Sequence, residues 1–328
     1  MQRRDFLAIA AAGAVAPRVL HGLGSGFPSA ASAAGSDPID ARAFHAMRRF
    51  ATTSFGRIAY VERGKGDVAL FLHGLPLNGF QWRGALERLS DIRRCLAPDA
   101  MGLGYSEVGE GHSLAPADQA AMVATLLDQL GVKAVDLVAS DSGGAIAQIF
   151  LARFPMRVRT LMLTNCDVAE DSPPPILQPL IAACKAGTFV DEVLAPQLQD
   201  KSRARSKDGL GSAYTDPANL TDESLEVYLR PLTTSPLRKA QFHRYCIGME
   251  PNPLVPIEPQ LRASQVPVRA VWGTGDTFFA KSSPEELARI FPKFRGVRRV
   301  EGAQIFWPEE RPEIVAEEAR RLWTAEGA

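Results

Sequence analysis

Histidine is scarce in this chain, five in 328 residues, and cysteine is scarcer at four, with no C-x-x-C spacing. Without clustered thiols or imidazoles there is no signature of a zinc site. No metal and no cofactor is therefore expected. A charge surplus is also missing: 37 basic residues face 37 acidic ones. That balance excludes the basic footprint of a nucleic-acid binder or of a protein drawn to anionic membranes. No apolar run reaches the length of a membrane-spanning helix, so no stable membrane anchor is expected either.

What is present begins with a targeting pattern. Met1-Gln-Arg-Arg-Asp-Phe-Leu7 reads as a twin-arginine signal. The apolar run from Phe6 to Pro17 is too short to span a bilayer, and Ala31-Ser32-Ala33 offers a small-residue cleavage site. Residues 1–34 are expected to be a removable signal peptide. The Tat export machinery is then a partner, and the destination is the periplasm or the outside of the cell. Cys95 and Cys166 fall on or beside expected core strands and read as small buried hydrophobes. The sequence leaves the pairing of Cys184 and Cys246 open, although such a compartment permits it.

Apolar residues make up 46% of the chain, enough for a large core. Short β-branched runs alternate with helical patterns, which argues for an α/β fold with a mostly parallel sheet flanked by helices. Strand patterns occur at residues 57–61, 67–72, 94–98, 134–138, 158–163, 266–272 and 296–300. Helical patterns occur at 80–89, 116–130, 284–290 and 312–323, and one more runs from the Gly143-Gly144 turn to Phe154. From residue 169 to 265 the strand signal fades into Pro173-Pro174-Pro175, scattered charges and helical runs. The expected organisation is a core of residues 35–168 and 266–328 with an inserted helical cap at 169–265.

One junction carries chemistry. The strand ending at Val138 runs through Ala139-Ser140-Asp141-Ser142-Gly143-Gly144 into a helix. A strand that turns sharply into a helix among small residues is a nucleophile elbow, whose central side chain is pushed into a pocket at a helix N-terminus. The frame Ala139-x-Asp141-x-Gly143 puts Asp141 at the apex; the frame Ser140-x-Ser142-x-Gly144 puts Ser142 there. Ser140 itself fails, because bulky Val138 would take a small-residue position. Capping of the helix by Asp141 is a further role for that residue, but it leaves the small neighbours unexplained.

Leu137-Val-Ala-Ser-Asp-Ser-Gly-Gly-Ala-Ile-Ala-Gln148 resembles the elbow of haloalkane dehalogenases and epoxide hydrolases, members of the α/β-hydrolase superfamily with an aspartate nucleophile. The resemblance favours Asp141. His73-Gly-Leu-Pro76 resembles the superfamily's oxyanion loop, which implies that the Leu75 and Ser142 amides face the reacting atoms and that His73 holds the loop. Trp272-Gly-Thr-Gly-Asp276 resembles the strand end that carries the triad acid, at Asp276. Some dehalogenases place that acid one strand earlier, which makes Asp167 the alternative.

The family's catalytic histidine should follow the last strand, yet Val300-Glu-Gly-Ala-Gln-Ile-Phe-Trp-Pro308 puts Ile305 there. Ile305 cannot carry a proton. An aspartate attacks carbon without a base, and only the later hydrolysis of the ester needs one. His243 in the cap is a candidate replacement base. Without an imidazolium, Asp141 and Asp276 are expected to raise each other's pKa, which would also suit Asp141 as a general base. The halide-holding Trp of dehalogenases is Ser142 here, and their Asn after His-Gly is Leu75. Protonation of an epoxide oxygen would fall to Tyr214, Tyr228 or Tyr245. Phe278, Phe279, Phe306 and Trp307 imply an apolar pocket for a small substrate. Hydrolysis of a carbon–halogen bond, epoxide or ester is the expected reaction. A ligand-binding pseudoenzyme, or a lyase or isomerase using a carboxylate base, is the alternative.

Overall fold

The computed structural model describes residues 39–324; the expected signal peptide lies outside the described residues. Eight strands form one sheet: β1 (Arg48–Thr53), β2 (Gly56–Arg63), β3 (Val68–Leu72), β4 (Arg94–Pro98), β5 (Val135–Asp141), β6 (Val158–Cys166), β7 (Val268–Gly273) and β8 (Phe294–Val300). Their spatial order is β1-β2-β4-β3-β5-β6-β7-β8. β2 is antiparallel to both its neighbours, β1 and β4, and every other pairing is parallel. The expected mostly parallel sheet is therefore present.

Burial follows position in the sheet. β3 and β5 are buried at every residue, as parallel strands covered on both faces must be. β8 lies at one edge, and its Arg295, Arg298 and Arg299 discourage pairing with another chain. β1, at the other edge, went unread in the sequence. Only its Ala51 is buried, so it has no apolar alternation to betray it. The helical pattern at residues 80–89 resolves into a 3₁₀ turn, Gly79–Trp82, followed by the helix Arg83–Leu89.

The helix Ser142–Arg153 is buried from Ser142 to Leu151, so it sits in the molecule's centre and carries no solvent face there. Between β6 and β7 the described chain is helical. The longer pieces are Gln178–Lys185, Asp222–Thr233 and Pro236–Ile247. One buried carboxylate, Glu309, ties this helical insert to the sheet layer. It accepts hydrogen bonds from Arg83 Nη1 (2.7 Å), the Tyr214 hydroxyl (2.6 Å), the Tyr228 hydroxyl (2.9 Å) and the Ser224 hydroxyl (3.1 Å). Glu309 belongs to a short helix, Trp307–Glu310, immediately after Ile305.

Candidate active site

β5 ends at Asp141 with φ 56° and ψ −136°, and the next residue begins the helix Ser142–Arg153. A side-chain-bearing residue at positive φ is strained, and such strain persists only where surrounding structure enforces it. Here the enforcement is close backbone approach. A Cβ on Gly74 would lie 2.3 Å from the Asp141 Cβ, and one on Gly143 would lie 2.6 Å from the carbonyl oxygens of Leu72 and His73. Asp141 is thus the turn residue, and Ser142 is already helical.

The turn delivers the Asp141 carboxylate to two backbone donors. Oδ1 accepts from the Leu75 amide (3.3 Å) and from the Ser142 amide. Both amides were expected to face the reacting atoms; they meet the oxygen of the carboxylate itself. His73 holds the loop that presents Leu75. Its Nε2 accepts from the Ala100 amide (3.0 Å), which leaves Nδ1–H to donate to the Gly74 carbonyl (2.9 Å). Burial pushes the His73 pKa down, so the ring is neutral.

Asp141 lines a cavity of about 100 Å³ under the helical insert, with Leu75, Phe242, Phe279, Ile305 and Phe306 among its walls. Two other polar side chains border it, and both are already bonded. Gln197 accepts from the Leu210 amide (2.8 Å) and donates to the Val193 carbonyl (3.2 Å), and Ser212 donates to the Gly209 carbonyl (2.7 Å). Of the side chains that line the cavity, only the Asp141 carboxylate is ionisable. Ile305 is 1% exposed. The Gln304 amide bonds the Thr215 hydroxyl (3.2 Å) and the Phe306 amide bonds the Ala213 carbonyl (2.9 Å), so the backbone on either side of Ile305 is fixed.

Several expected partners go elsewhere. His243 does not line the cavity: its Nε2 accepts from the Val190 amide (3.2 Å) inside the helical insert. A base occupied this way is not available to a water beside Asp141, so the replacement-base expectation is corrected. His45 is exposed. Tyr214 and Tyr228 are spent on Glu309 rather than on the cavity. Tyr245 comes nearest, and its hydroxyl shares a hydrogen bond with the Ser142 hydroxyl (2.9 Å).

Asp276 is buried beside the site. Its Oδ1 accepts from the Phe278 amide (2.8 Å) and its Oδ2 from Asn165 Nδ2 (2.8 Å). It borders a separate small cavity, about 60 Å³, with Thr274, Lys281 and Arg299. Asn165 was missed in the sequence. It also accepts from the Gly273 amide (2.7 Å) and from Trp307 Nε1 (3.0 Å), so it joins β6, β7 and the segment after Ile305. The available signal was a lone amide near the end of β6, two residues before Asp167.

Burial pushes Asp141 up to about 6, against the pull of its two amides. Burial likewise pushes Asp276 up to about 6. Asp167 rises to about 8, first by burial and then by the charge of Asp141. The expected mutual repulsion of Asp141 and Asp276 is therefore corrected: desolvation dominates both, and the Asp276 charge is the smallest of the named influences on Asp141. Among the described residues, no group of His, Cys, Asp and Glu side chains is gathered so as to hold a metal ion.

The family model of the alpha/beta hydrolase fold matches residues 68–307, which span the sheet from β3 onward and the whole helical insert. The chain belongs to the α/β-hydrolase fold family. This α/β hydrolase is 34% identical over 117 residues to haloalkane dehalogenase 2 of Mycobacterium tuberculosis, covering 36% of this chain and 41% of that protein. It is 31% identical over 121 residues to a cis-3-alkyl-4-alkyloxetan-2-one decarboxylase of Shewanella oneidensis, covering 36% and 38%. The matched part is thus about two fifths of each of these relatives' length. Among solved structures, the epoxide hydrolase CorEH superposes with a TM-score of 0.69 at 20% identity, over 85% of this chain and 98% of that one. A putative ancestral haloalkane dehalogenase superposes with a TM-score of 0.70 at 23% identity, over 85% and 100%. At those identities the superpositions speak for the fold.

Proposed function

We propose that this α/β hydrolase is an enzyme in which the Asp141 carboxylate attacks carbon in a small apolar electrophile beneath the helical insert. The observation that carries this reading is the asymmetry of the carboxylate. Oδ1 takes both backbone amides, which leaves Oδ2 as the oxygen without a backbone donor, on a side chain that lines the cavity. Attack by Oδ2 forms a carbon–oxygen bond while the leaving group departs with its electron pair. Oδ1 then becomes the carbonyl oxygen of an ester. In hydrolysis water adds to Cγ and gives one proton to solvent, and the negative charge that develops on Oδ1 meets the Leu75 and Ser142 amides. Collapse then breaks the Cγ–Oδ2 bond, the alcohol leaves with Oδ2 and the second proton, and the water oxygen completes the carboxylate.

The cavity narrows the substrate. At about 100 Å³ it is smaller than the roughly 150 Å³ that admits benzene. Because Tyr214, Tyr228 and Tyr245 are bonded elsewhere, no phenol lines the cavity to protonate a departing alkoxide. A leaving group that is stable as an anion suits the site best, which ranks a carbon–halogen bond or an activated ester above an epoxide. Haloalkane dehalogenase 2 is among the relatives.

Ile305 favours a second reading. General base catalysis is worth roughly 10²–10⁴ in rate, and the cavity wall offers no imidazole for the water step. A reaction whose ester resolves without water avoids that loss. The Shewanella relative is named as a decarboxylase of an alkyl-substituted oxetan-2-one. In such a reaction Oδ2 attacks the saturated, alkyl-bearing ring carbon bonded to the ring oxygen, and that carbon–oxygen bond breaks to free a carboxylate. The carboxylate leaves as carbon dioxide, its electron pair forms the alkene, and the bond to Oδ2 breaks to regenerate Asp141. The size of the cavity limits this to short substituents.

Incubation with a small bromoalkane and with a short dialkyl β-lactone tests both readings. Peptide mass mapping is expected to place an alkyl adduct on Asp141 with the bromoalkane. Release of alkene and carbon dioxide from the lactone distinguishes the second reading. An adduct on Ser142, or a protein that stays unmodified and releases no bromide, alkene or carbon dioxide, rejects Asp141 as the nucleophile.

A further inference from the structure

The helical insert carries two thiols that the proposed reaction leaves unused. Cys184 lies on the helix Gln178–Lys185 and Cys246 on the helix Pro236–Ile247, both buried. The two helices pack against each other, the two thiols are neighbours across their interface, and both are reduced. The same two helices cover the Asp141 cavity, to which they contribute Leu180 and Phe242. Next to Cys246, Tyr245 bonds the Ser142 hydroxyl. We propose that Cys184 and Cys246 form a disulfide under oxidising conditions, an internal staple between the two helices over the cavity.

Two features support the pairing. Disulfide geometry demands that the two side chains already face each other across a short gap, and neighbouring thiols on two packed helices meet that demand. The helices are also strutted on their solvent side, where Glu250, just beyond the second helix, accepts from Lys185 Nζ (2.7 Å) and Gln178 Nε2 (2.9 Å). An open groove bordered by Gln178, Lys185, Ile247 and Glu250 runs along this side. It brings solvent to the residues that follow each buried cysteine and shares no lining residue with the Asp141 cavity. Cys95 and Cys166, by contrast, sit within β4 and β6.

The chemistry is thiol–disulfide exchange with a small external disulfide as oxidant. Cys184 opens the exchange, since Lys185, the next residue on its helix, borders the open groove. Its thiolate attacks one sulfur of the external disulfide, forming a mixed disulfide and releasing one external thiol. Cys246 then loses its proton and attacks the Cys184 sulfur, expelling the second external thiol. Two protein thiols are oxidised and one external disulfide is reduced to two thiols.

The test uses the full chain incubated with oxidised glutathione under native conditions, then alkylated in denaturant and digested. The expected product has lost two hydrogens, yields a linked Cys184–Cys246 peptide and leaves Cys95 and Cys166 alkylated. A rise in Tm of about 5 °C, reversed by dithiothreitol, accompanies it. In Cys246→Ser the second step is blocked, so Cys184 retains glutathione and the rise in Tm is absent. The wild-type peptide map stands by itself if that variant folds poorly. Absence of the linked peptide after oxidation, or a link to a different cysteine, overturns the proposal.

Discussion

β5 carries two buried aspartates five residues apart, and they are treated in opposite ways. Asp136, near the strand's start, accepts from Arg93 Nε (2.9 Å), Arg159 Nη2 (2.8 Å) and the Thr160 hydroxyl (3.0 Å). Asp141, at the strand's end, has only backbone amides and the Ser142 side chain as partners, and its pKa rises to about 6. Both are at most 8% exposed. Burial of a carboxylate is offset by cations in the first case and left largely uncompensated in the second. The first arrangement holds a fold together. In the proposed reaction the second keeps an oxygen available for attack, at a cost in stability that the rest of the core must cover.

The largest expected effect that sharpens this contrast comes from Asp141→Asn. Labelling by a bromoalkane should fall by at least about 10³-fold, since an amide is a poor nucleophile, while the fold persists by circular dichroism. Asp136→Ala should do the reverse. Stability in urea should drop by about 3 kcal/mol, because two arginines lose a buried partner, and the labelling rate of the folded protein should stay unchanged. Ile305→His is expected to speed release of the alkyl ester by about 10-fold to 10²-fold in single-turnover mass measurements, the low end of general-base effects. The gain stays modest because Asn165 and the Phe278 amide already occupy the Asp276 oxygens that would orient the new imidazole.

A smaller effect separates the two ends of β5 by pH. The folded values of Asp141, Asp276 and Asp167 (about 6, 6 and 8) exceed the ordinary 3.8, so the folded chain binds more protons than the unfolded chain between those limits. Stability should therefore fall as pH rises from about 4 to 8. In Asp167→Asn, the part of that fall between pH 6 and 8 should disappear from thermal melts, whereas variants that alter Asp136 should keep it.

Much of this arrangement was legible in the sequence because it is local. Strand and helix periods, and the small residues around Asp141, lie within a few positions of one another. That Ile305 borders the site was legible too, since Glu301-Gly-Ala and Phe306-Trp-Pro place it just after the last strand. What escaped was non-local. The direction of Tyr214 and Tyr228 depends on Glu309, which lies 95 and 81 residues away. His243 turns to Val190 rather than to the cavity because of how its helix is rotated, and one helix's pattern does not encode that. Asn165 gains its role only when β6, β7 and Trp307 meet. β1 is an exposed edge strand without alternation.

The central claim is that Asp141 is an ionised nucleophile raised by burial and unassisted by a cation. The rate of alkyl adduct formation on the Asp141 peptide, measured against pH with a small bromoalkane, tests it most directly. The expected profile rises with pH through a single midpoint near 6 and then stays level. A midpoint in the ordinary carboxylate range near 4, or label that appears on Ser142 instead, would contradict it.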